Sequence, residues 1–160
     1  MQDTTKILIY TDGACRGNPG AGGYGVVLMW GNVKKELSKG YRLTTNNRME
    51  LMAVIAALQA MKKNNLELLI YSDSNYVVKA FEQGWLTKWI KTDFKGGKKN
   101  KDLWLQFYKL SHNHRIKFKW VKGHADNFYN TRCDELATEA ADGKDLFIDE
   151  GYENEIKLLG

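Results

Sequence analysis

The chain has 160 residues, 43% hydrophobic and 27% charged, which suits one globular domain with its own core. Its formal net charge of +5 is uneven: residues 79–122 hold twelve Lys/Arg against three Asp/Glu, a local +9, which leaves −4 over the remainder. No apolar run approaches the roughly 20 residues of a membrane span, residues 1–6 carry no apolar segment of signal-peptide type, and the two cysteines, Cys15 and Cys133, have neither framework nor metal-ligand spacing.

These features exclude a membrane protein, a disulfide-stapled module and a thiolate metal centre. A reducing cytoplasm is the expected compartment, and nothing suggests an obligate oligomer, so a monomer is expected. The basic block is where a polyanionic partner belongs, with a solvated face as the ordinary alternative.

Ile7-Leu8-Ile9-Tyr10 runs into Thr11-Asp12-Gly13. An unbroken apolar run reads as a strand buried on both faces. The pattern returns at Leu68-Leu69-Ile70-Tyr71-Ser72-Asp73-Ser74. Side by side and parallel, the two strands would bring Asp12 and Asp73 to one end of a sheet. Two close carboxylates repel, so one becomes protonated unless a cation is shared.

Between Gly17 and Gly25, the residues Gly20, Gly22 and Gly25 satisfy a dinucleotide-binding spacing. That motif needs a helix to follow. Here Tyr24-Gly25-Val26-Val27-Leu28-Met29-Trp30 follows, which reads as a strand, so the glycines are a connection between antiparallel strands with backbone bared for close approach. Gly31-Asn32 marks a hairpin. An outer strand over about 33–43 comes next, with Leu37, Tyr41 and Leu43 on one face.

Thr44-Thr45-Asn46-Asn47-Arg48-Met49-Glu50 opens a helix, with Asn47 as the expected cap and Glu50 three residues on. It runs to about Lys63, apolar nearly all round, and must pack on several sides. Asn64-Asn65 ends it. A right-handed crossover then makes the first and fourth strands parallel.

A short helix spans Ser74 to about Gly84. The segment 85–101 follows, where Trp85, Lys88, Trp89, Lys91, Phe94, Lys95, Lys98, Lys99 and Lys101 interleave bases with aromatics. That suits phosphate contact and packing against a nucleic-acid backbone; an amphipathic helix with its aromatics in the core is the plain alternative. A helix over about 102–111 precedes Ile116-Lys117-Phe118-Lys119-Trp120, a strand with one wet face. Lys122 to Asn127 is a loop holding His124. Thr131 is the expected cap of a last helix to about Asp142, with Asp134 at its third position. The acidic tail 143–160 is weakly patterned and is expected to fray or lie on the surface.

Four acids stand out: Asp12, Glu50, Asp73 and Asp134. The two on helices sit where a capping acid is ordinary, whereas Asp at a strand end is not. Together they make a hard-cation site, all oxygen, suited to Mg²⁺ or Mn²⁺ rather than zinc. Two such ions would serve phosphodiester hydrolysis. His124 is placed to move protons near neutral pH.

Thr11-Asp12-Gly13, Thr44-Thr45-Asn46-Asn47-Arg48-Met49-Glu50-Leu51, Ser72-Asp73-Ser74, Trp120-Val121-Lys122-Gly123-His124 and Arg132-Cys133-Asp134-Glu135-Leu136-Ala137 resemble bacterial-type ribonuclease HI over nearly the whole chain. The resemblance implies an α/β ribonuclease H-like fold: a five-stranded mixed sheet, order 3-2-1-4-5, with helices on both faces. It implies one catalytic domain over 1–142, with 85–101 as its basic protrusion. It implies endonucleolytic hydrolysis of the RNA strand of RNA–DNA hybrids, leaving 5′-phosphate and 3′-hydroxyl ends. By resemblance Asp12, Glu50, Asp73 and Asp134 hold two metal ions and His124 assists proton transfer or product departure.

Cys15, Asn18, Asn46, Asn47 and Asn75 fall at substrate-contact positions, some reading ribose 2′-hydroxyls; Thr45 and Asn100 match a pocket for a DNA-strand phosphate. The chain departs from the family at Asn75, where Gln is usual, and at Leu43, where some relatives carry Arg. Arg42 beside it points to the opposite strand face. A DNA nuclease of the same fold, a non-catalytic hybrid-binding module and a purely structural domain are the alternatives. The first usually carries fewer of these motifs, and the asparagine-rich helix entry here favours reading a 2′-hydroxyl; the second has no need of four acids, and the third leaves the strand-end aspartates unexplained.

Overall fold

A computed structural model describes residues 6–122 and 127–159. Five strands form one sheet in the order β3-β2-β1-β4-β5. They are β1 (Lys6–Arg16), β2 (Gly20–Trp30), β3 (Val33–Thr44), β4 (Glu67–Ser72) and β5 (Arg115–Trp120). The β1–β2–β3 meander is antiparallel, and β4 pairs parallel with both β1 and β5. The helices are α1 (Asn46–Gln59), α2 (Asn75–Glu82), α3 (Trp85–Lys91), α4 (Lys101–Ser111), α5 (Phe128–Ala141) and α6 (Glu150–Leu159).

Strand alternation sorts the core into two unequal layers. Ile7, Ile9, Val26 and Leu28 join α1, α2, α3 and α4 in the larger one, centred on Trp104 and Phe107. Tyr10 and Val27 face the other way, against Cys133 and Leu136 of α5. The doubly buried character of β1 thus follows from a helix on each side. The near-continuous apolar surface of α1 is used as expected: its residues from Arg48 to Leu58 are largely buried.

The second layer is thin because α5 comes very close to the sheet. A side chain at Gly25 would overlap the Cys133 carbonyl, and one at Gly23 the Ala137 carbonyl. These glycines belong to strand β2 itself rather than to a connecting loop, and they permit backbone-to-backbone approach.

The local ends differ from expectation in three places. Thr45, not Asn47, caps α1, its hydroxyl accepting from the Arg48 N–H at 3.3 Å. Asn127, not Thr131, caps α5, accepting from the N–H groups of Tyr129 and Asn130 at 3.0 and 3.2 Å. Helix α1 also ends at Gln59, four residues short of Lys63.

In both capping cases a run offers several cap-competent residues, and where the preceding chain leaves the sheet decides among them. The consequence is functional. Glu50 lies in the second turn of α1 and Asp134 deeper still in α5, so neither acid has the local capping role that would otherwise account for it.

Residues 143–159 do not fray. Phe147 pairs with the edge of β3: Arg42 N–H donates to the Phe147 carbonyl and Phe147 N–H to the Gly40 carbonyl, both at 2.9 Å. The chain then buries Asp149 against Arg48, with side chains 2% and 1% exposed, before α6, which does lie on the surface with no buried residue.

Gly25→Ala is expected to destabilise the protein by about 2 kcal/mol, because an added methyl cannot fit without moving α5 off the sheet. Denaturant midpoints at unchanged m-value measure this.

Candidate active site

Strands β1 and β4 run parallel, so Asp12 within β1 and Asp73 just past β4 emerge on the same side of the sheet. Glu50 comes from α1. It reaches Asp12 because Gly13 has no side chain: a Cβ there would overlap the backbone of Met49 and Glu50. The Gly13 N–H donates to Glu50 Oε1 at 2.5 Å, which fixes the helix start against the strand.

The result is a group of three carboxylates, Asp12, Glu50 and Asp73, offering oxygens that all lie within 4.8 Å of one another. Asp134 of α5 lines the same cleft, of about 410 Å³, together with Asn46, Asn47, Asn75 and Tyr76. It stands outside the three-acid group yet near enough for its charge to act on Asp12 and Glu50.

Electrostatics makes the cluster abnormal. Burial pushes the Asp12 carboxyl well above the usual carboxylate range, and the neighbouring Glu50, Asp73 and Asp134 push it further. Glu50 is also raised, chiefly by burial, against the lowering effect of its hydrogen bond with Asp12. Both directions favour retention of a proton by the Asp12–Glu50 pair while no cation is present.

Glu50 Oε2 is buried with no hydrogen-bond partner among the described residues. An all-oxygen set of acids with a buried, unpartnered carboxylate oxygen fits a hard divalent cation. The nearby Cys133 thiol does not compete. It is fully buried, its pKa is raised by burial, and its Sγ bonds the Tyr10 carbonyl at 3.2 Å.

A second, larger groove of about 1110 Å³ adjoins the acidic cleft, sharing Asn47 and Tyr76 with it. Asn18, Thr45, Trp85, Lys88, Trp89 and Asn100 all line it. Asn18 is tied to the head of α1, its Oδ1 accepting from the Asn46 N–H at 3.1 Å.

The aromatic alternatives split. Trp89 is 9% exposed and packs in the core against Tyr76, Phe94 and Trp104, whereas Trp85 is 40% exposed. Cys15 and Lys91 line neither cleft. Cys15 lies half-buried with Sγ 3.5 Å from the carbonyls of Gly20 and Thr44, and Lys91 is exposed at the end of α3. Arg42 is engaged with Glu153 of α6, at 2.8 and 3.0 Å. His124 lies outside the described residues.

Sequence reasoning missed five participants. Tyr76 joins the two clefts, and Tyr152 lines the larger one. Arg48 and Asp149 sit behind that groove's wall. A buried Arg in an apolar helix was the available signal for Arg48; nothing near Asp149 in the chain marks it. Trp120 is exposed at the end of β5, and its indole N–H donates to the Asp73 carbonyl at 3.1 Å.

This sheet order, with acids gathered where β1 and β4 end, defines a ribonuclease H-like fold. The chain belongs to the RNase H family, whose model matches residues 4–142. Ribonuclease H of Syntrophus aciditrophicus is 51% identical over 151 residues, covering 92% of this chain and 87% of that protein. Ribonuclease H of Chlorobaculum parvum is 55% identical over 135 residues, covering 82% and 92%. Among solved structures, the crystal structure of LC9-RNase H1 superposes with a TM-score of 0.80 at 28% identity, covering 96% of this chain and 81% of that one. LC11-RNase H1 in complex with an RNA/DNA hybrid gives 0.60 at 31% identity, covering 85% and 96%.

The raised carboxyls carry a signed consequence. An acid whose folded pKa is raised binds protons that the unfolded chain has given up, so it weakens folding at any pH above about 4, where unfolded carboxyls ionise. In chelator, stability is therefore expected to fall as pH rises from about 5 to 8. Asp12→Asn should melt higher than the parent at pH 8, with the gap closing near pH 4. Added Mg²⁺ should raise the parent's Tm more at pH 8 than at pH 6, because cations compete with protons for these carboxylates. Thermal melts across pH with and without Mg²⁺ check all three.

Proposed function

We propose that this protein is a metal-dependent endoribonuclease that hydrolyses the RNA strand of RNA–DNA hybrids to 5′-phosphate and 3′-hydroxyl ends. The carrying observation is the adjacency, in a chain of the RNase H family, of a buried acid cluster and a lysine- and aromatic-lined groove sharing Asn47 and Tyr76. Asp12, Glu50, Asp73 and Asp134 would hold two Mg²⁺ ions, with Mn²⁺ as a substitute. When bound, such ions stabilise charge developing on the phosphodiester oxygens and favour ionisation of the attacking water.

The chain's own residues do the rest. Once ionised, Asp12 and Glu50 form the anionic floor of the cleft. Asn46, Asn47 and Asn75 line that cleft and offer amide donors and acceptors able to read a ribose 2′-hydroxyl, the group that distinguishes RNA from DNA. Asn18 joins them from the adjoining groove. Lys88, Lys95, Lys98 and Lys99 give that groove its positive charge for the phosphate backbone, with Trp85 exposed beside them. His124 would move a proton to or from the departing oxygen. The protein acts as a cytoplasmic monomer with the hybrid as its partner; no described helix is long and apolar enough to cross a membrane. The activity is assigned to a catalytic unit over 1–142.

Matched hybrid, duplex DNA and duplex RNA of one sequence should be cleaved in Mg²⁺ only as hybrid; equal cleavage of duplex DNA would reassign the enzyme as a DNA nuclease. Asp12→Asn should abolish cleavage while hybrid binding survives, since the groove is untouched. That binding should weaken steeply with salt as lysine–phosphate contacts release counterions. Titration by fluorescence anisotropy over about 50–200 mM salt measures the slope.

A further inference from the structure

Asp149 lies beyond the segment that the family model matches, yet three walls of the larger groove meet on its carboxylate. Oδ2 accepts from Thr44 Oγ1 and from Arg48 Nε, both at 2.7 Å. Oδ1 accepts from Arg48 Nη2 at 2.9 Å and from the Tyr152 N–H at 3.3 Å. Thr44 immediately precedes Thr45, which lines the groove. Tyr152 lines it from α6, alongside Glu155, Ile156 and Leu159. Arg48 carries the contact to the third wall: its Nη1 donates to Asn100 Oδ1 at 3.3 Å and to Asp102 Oδ1 at 2.9 Å.

Asn100 is the telling member. It stands at the head of α4 with φ 66° and makes no side-chain cap for that helix. Its amide is instead held from both ends, the oxygen by Arg48 and one N–H by Tyr76 Oη at 3.1 Å. An amide nitrogen has two N–H groups, so the second remains for a ligand in the groove.

The planar guanidinium of Arg48 transmits this order because both of its edges are occupied by carboxylates. With Asp149 neutralised, only Asp102 anchors it firmly, and it can swing away from Asn100.

We infer that Asp149 is a positioning residue for recognition of the phosphate backbone: through Thr44 and Arg48 it holds Thr45 and Asn100 at the spacing at which they receive one phosphate of the DNA strand. This rests on the hybrid-cleavage reading above. The role is preorganisation, in which geometry is set before the ligand arrives and its ordering is not charged against affinity.

The test is a double-mutant cycle on hybrid cleavage at fixed Mg²⁺ and salt, at a temperature where circular dichroism shows every variant folded. Asp149→Asn is expected to raise KM about fivefold with kcat within about twofold, the split that marks lost ground-state binding. Asn100→Ala should raise KM as well, and adding Asp149→Asn to it should change KM little further, because the two act on one contact. Thr44→Val, which removes one Asp149 contact without altering charge, should give a smaller KM rise.

Asp142→Asn breaks a surface ion pair with Arg16 and should leave both constants unchanged. Fully additive KM effects of Asp149→Asn and Asn100→Ala would sink the positioning role alone. So would a lowered Tm with both constants intact, or a loss in kcat at constant KM. An Asn100→Ala enzyme with wild-type KM would sink the phosphate-site reading itself, and this inference with it.

Discussion

Like charges brought together out of water are the constraint around which this molecule is arranged. Asp12 and Glu50 are nearly fully buried, and Asp73 stands within 4.8 Å of both. Such an arrangement repels itself, and either a retained proton or a shared cation relieves it. The fold supplies this proximity by backbone close approach. Gly13 lets the head of α1 press against β1, parallel pairing sets Asp73 beside Asp12, and Gly23 and Gly25 let α5 carry Asp134 in from the opposite face. The stability that the cluster loses is recovered in the larger core layer around Trp104 and Phe107.

Charge is divided with equal economy. The acids occupy the small cleft, and the lysines of α3 and the loop after it occupy the adjoining groove. A polyanion is therefore attracted along one surface and presented to cations at another. Tyr76 sits at the junction, lining both clefts while its hydroxyl accepts from the Trp104 indole at 2.7 Å and from Asn100. The aromatic core beneath the basic segment thus has a direct connection to the site.

Much of this was legible in the chain. Alternation and apolar runs marked all five strands, and the parallel order followed from the crossover through α1. Asp12 and Asp73 were legible because Asp at the end of a buried strand has no ordinary explanation; Glu50 was legible only as one of a set with them. The helix starts were less so. Thr44-Thr45-Asn46-Asn47 offers consecutive cap-competent side chains, and only the last pairing of β3, Gly20 with Thr44, selects Thr45. The same ambiguity between Asn127 and Thr131 hid the fact that Asp134 lies well inside α5. Trp85 and Trp89 belong to one helix of seven residues, yet one is core and the other surface, which short-range pattern does not separate.

By itself the sequence determined the five strands and the helices α1, α2, α4 and α5, which residues are acids or bases, and the family resemblance those motifs carry. All of these are properties of near neighbours along the chain. Only the tertiary structure decided that residues 143–159 are anchored rather than frayed, that Arg48 is held by acids from two distant segments, and that Glu50 leaves an oxygen without a partner among the described residues. The reason is physical: a hydrogen bond such as Thr44 to Asp149 joins groups 105 residues apart. Its energy depends on burial and approach in space, for which local periodicity has no signature.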